Sequence, residues 1–178
     1  MKVTLIRNAE TEEDFLRHIV GRKNELLNDT GRRQVLQLKR KISNLSYDYC
    51  FISPLIRSFE TAISLIGDRC EIIRDERLID REMGELVGRS IDEYNAFQFC
   101  DYKRNRSDYG IEPIHDLMKR CEEFISEIKK KYSKKSIMII VDVEIYRALR
   151  HLLKGDKIEG NLLDGKIDFC QMEVFEVK

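Results

Sequence analysis

The segment IMIIVDVEIYRALRHLL, residues 137–153, decides the fold class that the sequence predicts. Its first five residues form an unbroken apolar run, which is typical of a strand buried on both faces of a helix-covered sheet. The apolar spacing from Glu144 to about Leu153 then predicts a helix that follows the strand directly. We therefore expect residues 137–141 to form the central strand of an α/β sheet.

Strands and helices are also predicted in the rest of the chain, on both sides of this segment. Further strands are predicted at residues 2–6, 49–52, 71–73 and 170–174, the last one suited to a sheet edge. Helices are predicted over residues 31–45, 55–66, 90–100 and 113–132. This alternation predicts a three-layer α/β/α sandwich, in which a mostly parallel central sheet carries helices on both faces.

Length, charge and cysteine content limit the classes of protein that the chain can be. The 178 residues suit a single domain spanning residues 1–178. Lys and Arg together number 32, as do Asp and Glu, so no overall charge attracts nucleic acid or a membrane surface. No apolar run is long enough to cross a bilayer, and the N-terminus resembles a strand, so we expect a cytoplasmic protein. The five cysteines are widely spaced, and we expect neither a metal nor another cofactor.

Polar residues follow the predicted strands at the edge where α/β sheets bind ligands. They are Arg7 and Asn8 after the first strand, Arg57 after the second, and Asp142 after the central strand. A charged loop with Asp80 and Glu82 is expected to reach the same edge. Two arginines in one pocket can bind a phosphate or a carboxylate through paired hydrogen bonds, and a structural salt bridge is an equal alternative.

Four blocks of the sequence resemble, in their order, the histidine phosphatase superfamily, which includes the cofactor-dependent phosphoglycerate mutases. The blocks are LIRNAET (5–11), SPLIRSFETA (53–62), LIDREMGELVG (78–88) and IMIIVDVEIYRALRHLL (137–153). The second block is the most specific. The resemblance covers nearly the whole chain and implies a phosphoglycerate mutase-like fold, with a short lid insertion at about residues 89–112.

The resemblance also implies roles for individual residues. In that family a histidine after the first strand takes up the phosphoryl group, and two arginines and a second histidine bind the phosphate. Arg7 and Arg57 match the two phosphate-binding arginines. Asp80 falls at the position of the acid that protonates the leaving oxygen, with Glu82 as a less favoured substitute.

Both histidine positions of the family pattern hold other residues. Asn8 stands at the nucleophile's position, and its amide cannot form a phosphoenzyme because the nitrogen lone pair is delocalised into the carbonyl. Asp142 stands at the second position, where an anion repels phosphate. Two like charges about 4 Å apart repel by roughly 4 kcal/mol at an effective dielectric of about 20, so phosphate is expected to bind weakly. We expect Asp142 to pair with Arg7 or Arg57 instead.

These substitutions favour a pseudophosphatase that lacks phosphohistidine chemistry and binds a ligand or a partner. The expected ligand is a phosphorylated small molecule or another anion, bound weakly, and a protein partner stays open. The alternative is a phosphatase with altered chemistry, in which Asp142 attacks phosphorus or several carboxylates recruit a divalent metal. A third hypothesis is a scaffold whose basic loop, residues 103–106, contacts another macromolecule. The histidines His18, His115 and His151 lie outside the four blocks, and packing or surface roles are expected for them.

Overall fold

The computed structural model of the chain describes residues 1–162 and 165–177. Its strands are β1 (Lys2–Arg7), β2 (Tyr49–Ile52), β3 (Glu71–Arg74), β4 (Ser136–Val141) and β5 (Met172–Glu176). They form one sheet with the order β3-β2-β4-β1-β5, in which β5 is antiparallel to β1 and the other pairs are parallel. The predicted central position of residues 137–141 and the mostly parallel sheet are confirmed, and β5 lies at an edge.

Helices cover both faces of the sheet. They are α1 (Glu12–Phe15), α2 (Asp29–Lys41), α3 (Ile56–Ile66), α4 (Ala96–Phe99), α5 (Ile114–Lys131) and α6 (Val143–Lys154). Ile137, Ile139 and Val141 of β4 belong to the core under α5 and α6. Met138 and Ile140 belong to the opposite core, under α2 and α3. Side chains alternate between the two faces of a strand, so β4 supplies both cores and the three-layer architecture is confirmed.

Local capping explains where the helices differ from the prediction. The Asn28 side chain accepts a hydrogen bond from the backbone nitrogen of Gly31 at 2.7 Å, so α2 starts at Asp29. The single helix predicted over residues 90–100 is wrong. Asn95 caps α4 by accepting from the Gln98 nitrogen at 3.2 Å, which separates α4 from a 3-10 turn at Ile91–Glu93.

The segment of residues 89–112 packs onto the charged loop of residues 78–88, called the acid loop below, beside the sheet. A small apolar cluster joins Phe99 and Ile111 of this segment to Ile19, Met83 and Leu86. The segment therefore has its own apolar cluster beside the sheet, and its Cys100 also belongs to the core under α5 and α6. Among the helices of residues 1–162 and 165–177, none combines the length and apolar character that a bilayer crossing requires.

Candidate functional site

The ends of β1 and β4 bring Asn8 and Asp142 to the same edge of the sheet. Arg7 lies beside Val141 in the parallel register of these strands. The Asn8 backbone nitrogen donates a hydrogen bond to the carbonyl oxygen of Val141 at 2.9 Å. Asp142 is the next residue and immediately precedes α6. Parallel pairing thus places Asn8 and Asp142 next to each other.

Arg57, in the first turn of α3, is only 1% exposed, and the protein itself satisfies its guanidinium. Its Nε atom donates to Oδ1 of Asp142. Its Nη1 atom donates to the carbonyl oxygen of Lys23 at 2.6 Å. Its Nη2 atom donates to the carbonyl oxygen of Gly21 at 2.7 Å and lies 3.5 Å from Oδ2 of Asp80. Every nitrogen of this side chain therefore has an internal acceptor.

Asp80 and Asp142 are two buried carboxylates that share this one guanidinium. Burial raises the pKa of Asp80 well above its usual range, and the charge of Asp142 raises it further, against the effect of Arg57. Burial also raises the pKa of Asp142, again opposed by Arg57. Oδ1 of Asp80 and Oδ2 of Asp142 find no hydrogen-bond partner in the described part of the chain. The pair consequently takes up a proton more readily than exposed carboxylates do.

Arg7 reaches the same edge from the end of β1. Its Nη1 atom donates to the carbonyl oxygen of Ile167 at 2.6 Å, and its guanidinium lies 3.7 Å from the centre of the Phe169 ring. Its Nη2 atom lies 3.8 Å from Oδ1 of Asp14. Burial lowers the pKa of Arg7. Its Nε atom is buried and finds no acceptor within residues 1–162 and 165–177.

A cavity of about 240 Å³ lies over these side chains. Its lining includes all the residues that the sequence proposes for the site: Arg7, Asn8, Arg57, Asp80 and Asp142. Glu82, the less favoured substitute for the acid, lies outside this lining and accepts a hydrogen bond from the Gly84 nitrogen at 3.0 Å. Of these two acids, only Asp80 lines the cavity.

The sequence does not place four charged or titratable side chains of this lining at the site: Asp14, Arg17, His18 and Glu144. A signal for Asp14 exists, because Thr11 and Asp14 have the spacing of a capping box and form one at the start of α1. His18, for which a packing or surface role is expected, lines the cavity. Arg17 adopts a left-handed conformation with φ of 60°, and the chain turns back so that His18 lines the cavity.

Other candidate groups lie elsewhere. His115 and His151 each bond a backbone carbonyl oxygen at 2.8 Å, that of Tyr102 and that of Lys157 respectively. In the basic loop, Arg106 donates to a carboxylate oxygen of Asp108 at 2.7 Å. In the described ranges, no group of three or more His, Cys, Asp or Glu side chains could hold a metal ion.

Comparison with known proteins identifies one family. The model of the histidine phosphatase superfamily (branch 1) matches residues 3–177. The chain is 28% identical over 159 residues to phosphoglycerate mutase-like protein 4 of Arabidopsis thaliana, covering 83% of the chain and 69% of that protein. It is 24% identical over 162 residues to phosphoserine phosphatase 1 of Hydrogenobacter thermophilus, covering 87% of the chain and 77% of that protein.

Solved structures support the same fold. YhfR of Bacillus stearothermophilus superimposes with a TM-score of 0.87 at 20% identity, covering 99% of this chain and 91% of that one. A mycobacterial glucosyl-3-phosphoglycerate phosphatase superimposes with a TM-score of 0.85 at 16% identity, covering 97% and 90%. At these identities the likeness concerns the fold alone, and it confirms the phosphoglycerate mutase-like architecture.

Proposed function

This chain belongs to the histidine phosphatase superfamily (branch 1), and we propose that it is a pseudophosphatase that binds a ligand without phosphohistidine chemistry. The observation that carries the proposal is the buried ion pair between Arg57 and Asp142. A guanidinium that stabilises a transferring phosphoryl group must be free to meet its oxygens. Here a carboxylate of the protein occupies Arg57 instead.

The residue at the end of β1 supports the same proposal. Asn8 is 3% exposed, and its Nδ2 atom donates to the carbonyl oxygen of Ala9 at 2.9 Å. An amide nitrogen has no free lone pair for attack on phosphorus, so the covalent route through this position is absent. We propose that both catalytic histidine positions of the family have been replaced, by Asn8 and by Asp142.

The proposed ligand is a phosphorylated small molecule or another small anion, bound weakly at neutral pH. Arg7 supports this ligand class because its Nε atom lacks an acceptor among the described residues while the side chain lines the cavity. The carboxylates of Asp80 and Asp142 oppose it electrostatically, which accounts for the low affinity. The proposed ligand can also be a protein partner that places an anionic group in this cavity.

Phosphate release from p-nitrophenyl phosphate and from phosphoserine tests the proposal, with the Hydrogenobacter phosphatase as a positive control for the assay. Wild type and Asn8→Ala should give the same background rate between pH 5 and 8. A double variant, Asn8→His with Asp142→His, should gain an acid-labile phosphoenzyme signal. Turnover by the wild type that Asn8→Ala abolishes would overturn the proposal.

The alternative chemistry makes a different prediction in the same assay. Activity that needs Mg²⁺ or Mn²⁺, or that Asp142→Asn abolishes, would indicate an aspartyl or metal-assisted phosphatase. The geometry supports this alternative less well. One oxygen of Asp142 accepts from Arg57, and the other is buried, so neither is presented to an incoming phosphorus atom.

A further inference from the structure

We infer that Asp142 competes with external anions for Arg57, so that the cavity binds a small oxyanion only together with a proton on the Asp80–Asp142 pair. The inference rests on the proposed function, because it names the ligand class and the control of the same cavity. It differs from simple anion binding in one measurable respect: each oxyanion bound brings a proton with it.

The buried cations of the cavity determine where an oxyanion can bind. Arg7 and Arg57 are both largely buried and line it. The third arginine of the lining, Arg17, is 66% exposed and its Nη2 atom lies 2.7 Å from Oδ1 of Asp92. Solvent screens such an exposed pair, so Arg17 adds little to a buried site. An oxyanion in the cavity therefore depends on Arg7 and Arg57.

Carboxylates outnumber these two cations. Asp14 lies 3.8 Å from Arg7, and Asp80 and Asp142 both contact Arg57. With all three carboxylates ionised, this group of five side chains has a net charge of −1, and a further anion is repelled. One proton on the carboxylate pair brings the net charge to zero and frees part of the Arg57 guanidinium. Binding of an oxyanion and binding of the proton then favour each other.

The cavity has the space and the proton sites that this coupling requires. Its volume of about 240 Å³ corresponds to roughly eight waters at ~30 Å³ each, enough for a tetrahedral oxyanion. Oδ1 of Asp80 and Oδ2 of Asp142 are buried oxygens without hydrogen-bond partners among the described residues. Burial raises the pKa of both carboxyls, so a proton enters this pair at a higher pH than an exposed carboxylate.

Other groups around the cavity also carry charge. The charged or titratable side chains that line the cavity together with Asp142 are Arg7, Asp14, Arg17, His18, Arg57, Asp80, Tyr94 and Glu144. Glu144 pairs with Arg81 at 3.1 Å, which reduces its effect on the cavity. His18 also lines the cavity, and its Nδ1 atom lies 2.8 Å from a carboxylate oxygen of Glu13. A test must therefore separate His18 from the carboxylate pair.

Sulfate is the probe of choice, because it stays a dianion between pH 5 and 8 and contributes no titration of its own. Isothermal titration of the wild type should give a sulfate affinity that rises as the pH falls, by up to about tenfold per pH unit for one coupled proton. Repeating the titration in buffers of different ionisation enthalpy should show an uptake of about one proton per sulfate. This measurement uses the unaltered chain and needs no variant to fold.

Three variants assign the proton. Asp142→Asn should bind sulfate at least tenfold more tightly at pH 8 and should lose most of the pH dependence, and Asp80→Asn should change binding in the same direction. His18→Gln should keep the wild-type profile. Sulfate binding without proton uptake, or a pH dependence that His18→Gln removes, would overturn the inference. The proposed function fails on a different result, ester turnover, so either can fail alone.

Discussion

Replacing Arg81 by methionine is expected to lower the free energy of unfolding by about 3–5 kcal/mol. Arg81 is fully buried, and its guanidinium joins the acid loop to α6 and to the segment of residues 89–112. Its Nη1 atom lies 3.1 Å from Oε2 of Glu144 and donates to the Tyr94 hydroxyl at 3.0 Å. Nε and Nη2 donate to the carbonyl oxygens of Glu112 and Phe99, both at 2.8 Å.

The magnitude follows from the groups that the substitution leaves unpaired. Methionine replaces the apolar stem of Arg81 but supplies neither charge nor donors. Glu144, with a side chain only 9% exposed, loses its cation, and two backbone carbonyl groups lose a donor. Removing one partner of a buried ion pair costs about 3–5 kcal/mol of unfolding free energy. We expect Arg81→Met, which also loses two hydrogen bonds to carbonyl oxygens, to fall within that range. A chain of this size loses about 2–4 °C of melting temperature per kcal/mol, so a fall of roughly 6–20 °C is expected.

Urea unfolding at pH 7, followed by far-ultraviolet circular dichroism, measures the effect. Arg77→Met is the control: Arg77 lies in the same region, but its side chain is 27% exposed and its partner Glu127 is 38% exposed, so its loss should cost less than the loss of Arg81. The double variant Arg81→Met with Glu144→Gln should be about 1–3 kcal/mol more stable than the sum of the single effects. An Arg81→Met protein within about 1 kcal/mol of wild type, or strictly additive effects, would refute this reasoning.

Two further predictions concern the site and its support. Because the native pKa of Asp80 is raised above its ordinary value of 3.8, the native state binds more protons than the unfolded chain, so stability should rise as the pH falls from neutral through the native pKa. Urea midpoints at pH 7.5 and 5 measure this rise, which Asp80→Asn should largely remove; an unchanged pH dependence in Asp80→Asn would contradict it. Gly31→Ala should cost about 1–3 kcal/mol, because its Cβ atom would lie 2.2 Å from the carbonyl oxygen of Glu10. A melting temperature within 1 °C of wild type would contradict this prediction, because it would show that the backbone around Glu10 and Gly31 shifts at no cost.

The sequence predicts the sheet well where one short segment indicates both a buried strand and the helix that follows it. In residues 137–153 an apolar run indicates a buried strand, and the helical periodicity that follows indicates the direction in which the chain leaves it. Parallel topology brings the ends of such strands together, so the sequence alone predicts Arg7, Asn8 and Asp142 at one edge. From the same placement, the sequence predicts that Asp142 pairs with Arg7 or Arg57. In the structure its partner is Arg57.

Other parts of the site depend on tertiary geometry that no local pattern contains. His18 reaches the cavity because Arg17 adopts a left-handed conformation, which sequence does not favour for arginine. Arg81 looks like one more charge in a charged loop, yet it is fully buried because Glu144 meets it from α6, 63 residues later. The helix predicted over residues 90–100 fails for a local reason, since Ser90 and Asn95 each begin a new short element.

The two replacements that we propose at the family's histidine positions, Asn8 and Asp142, would have different consequences, and only the second would explain the proposed binding behaviour. Asn8 removes a nucleophile but introduces no charge, so by itself it would leave a phosphate site intact. Asp142 carries a carboxylate that pairs with Arg57, and on the proposed function this charge would keep an external anion away. A histidine returned at position 8 alone would therefore face a pocket whose arginine is still occupied. On the proposed function, phosphoryl transfer is expected only when Asp142 is replaced as well, which is why the double variant, Asn8→His with Asp142→His, is the informative one.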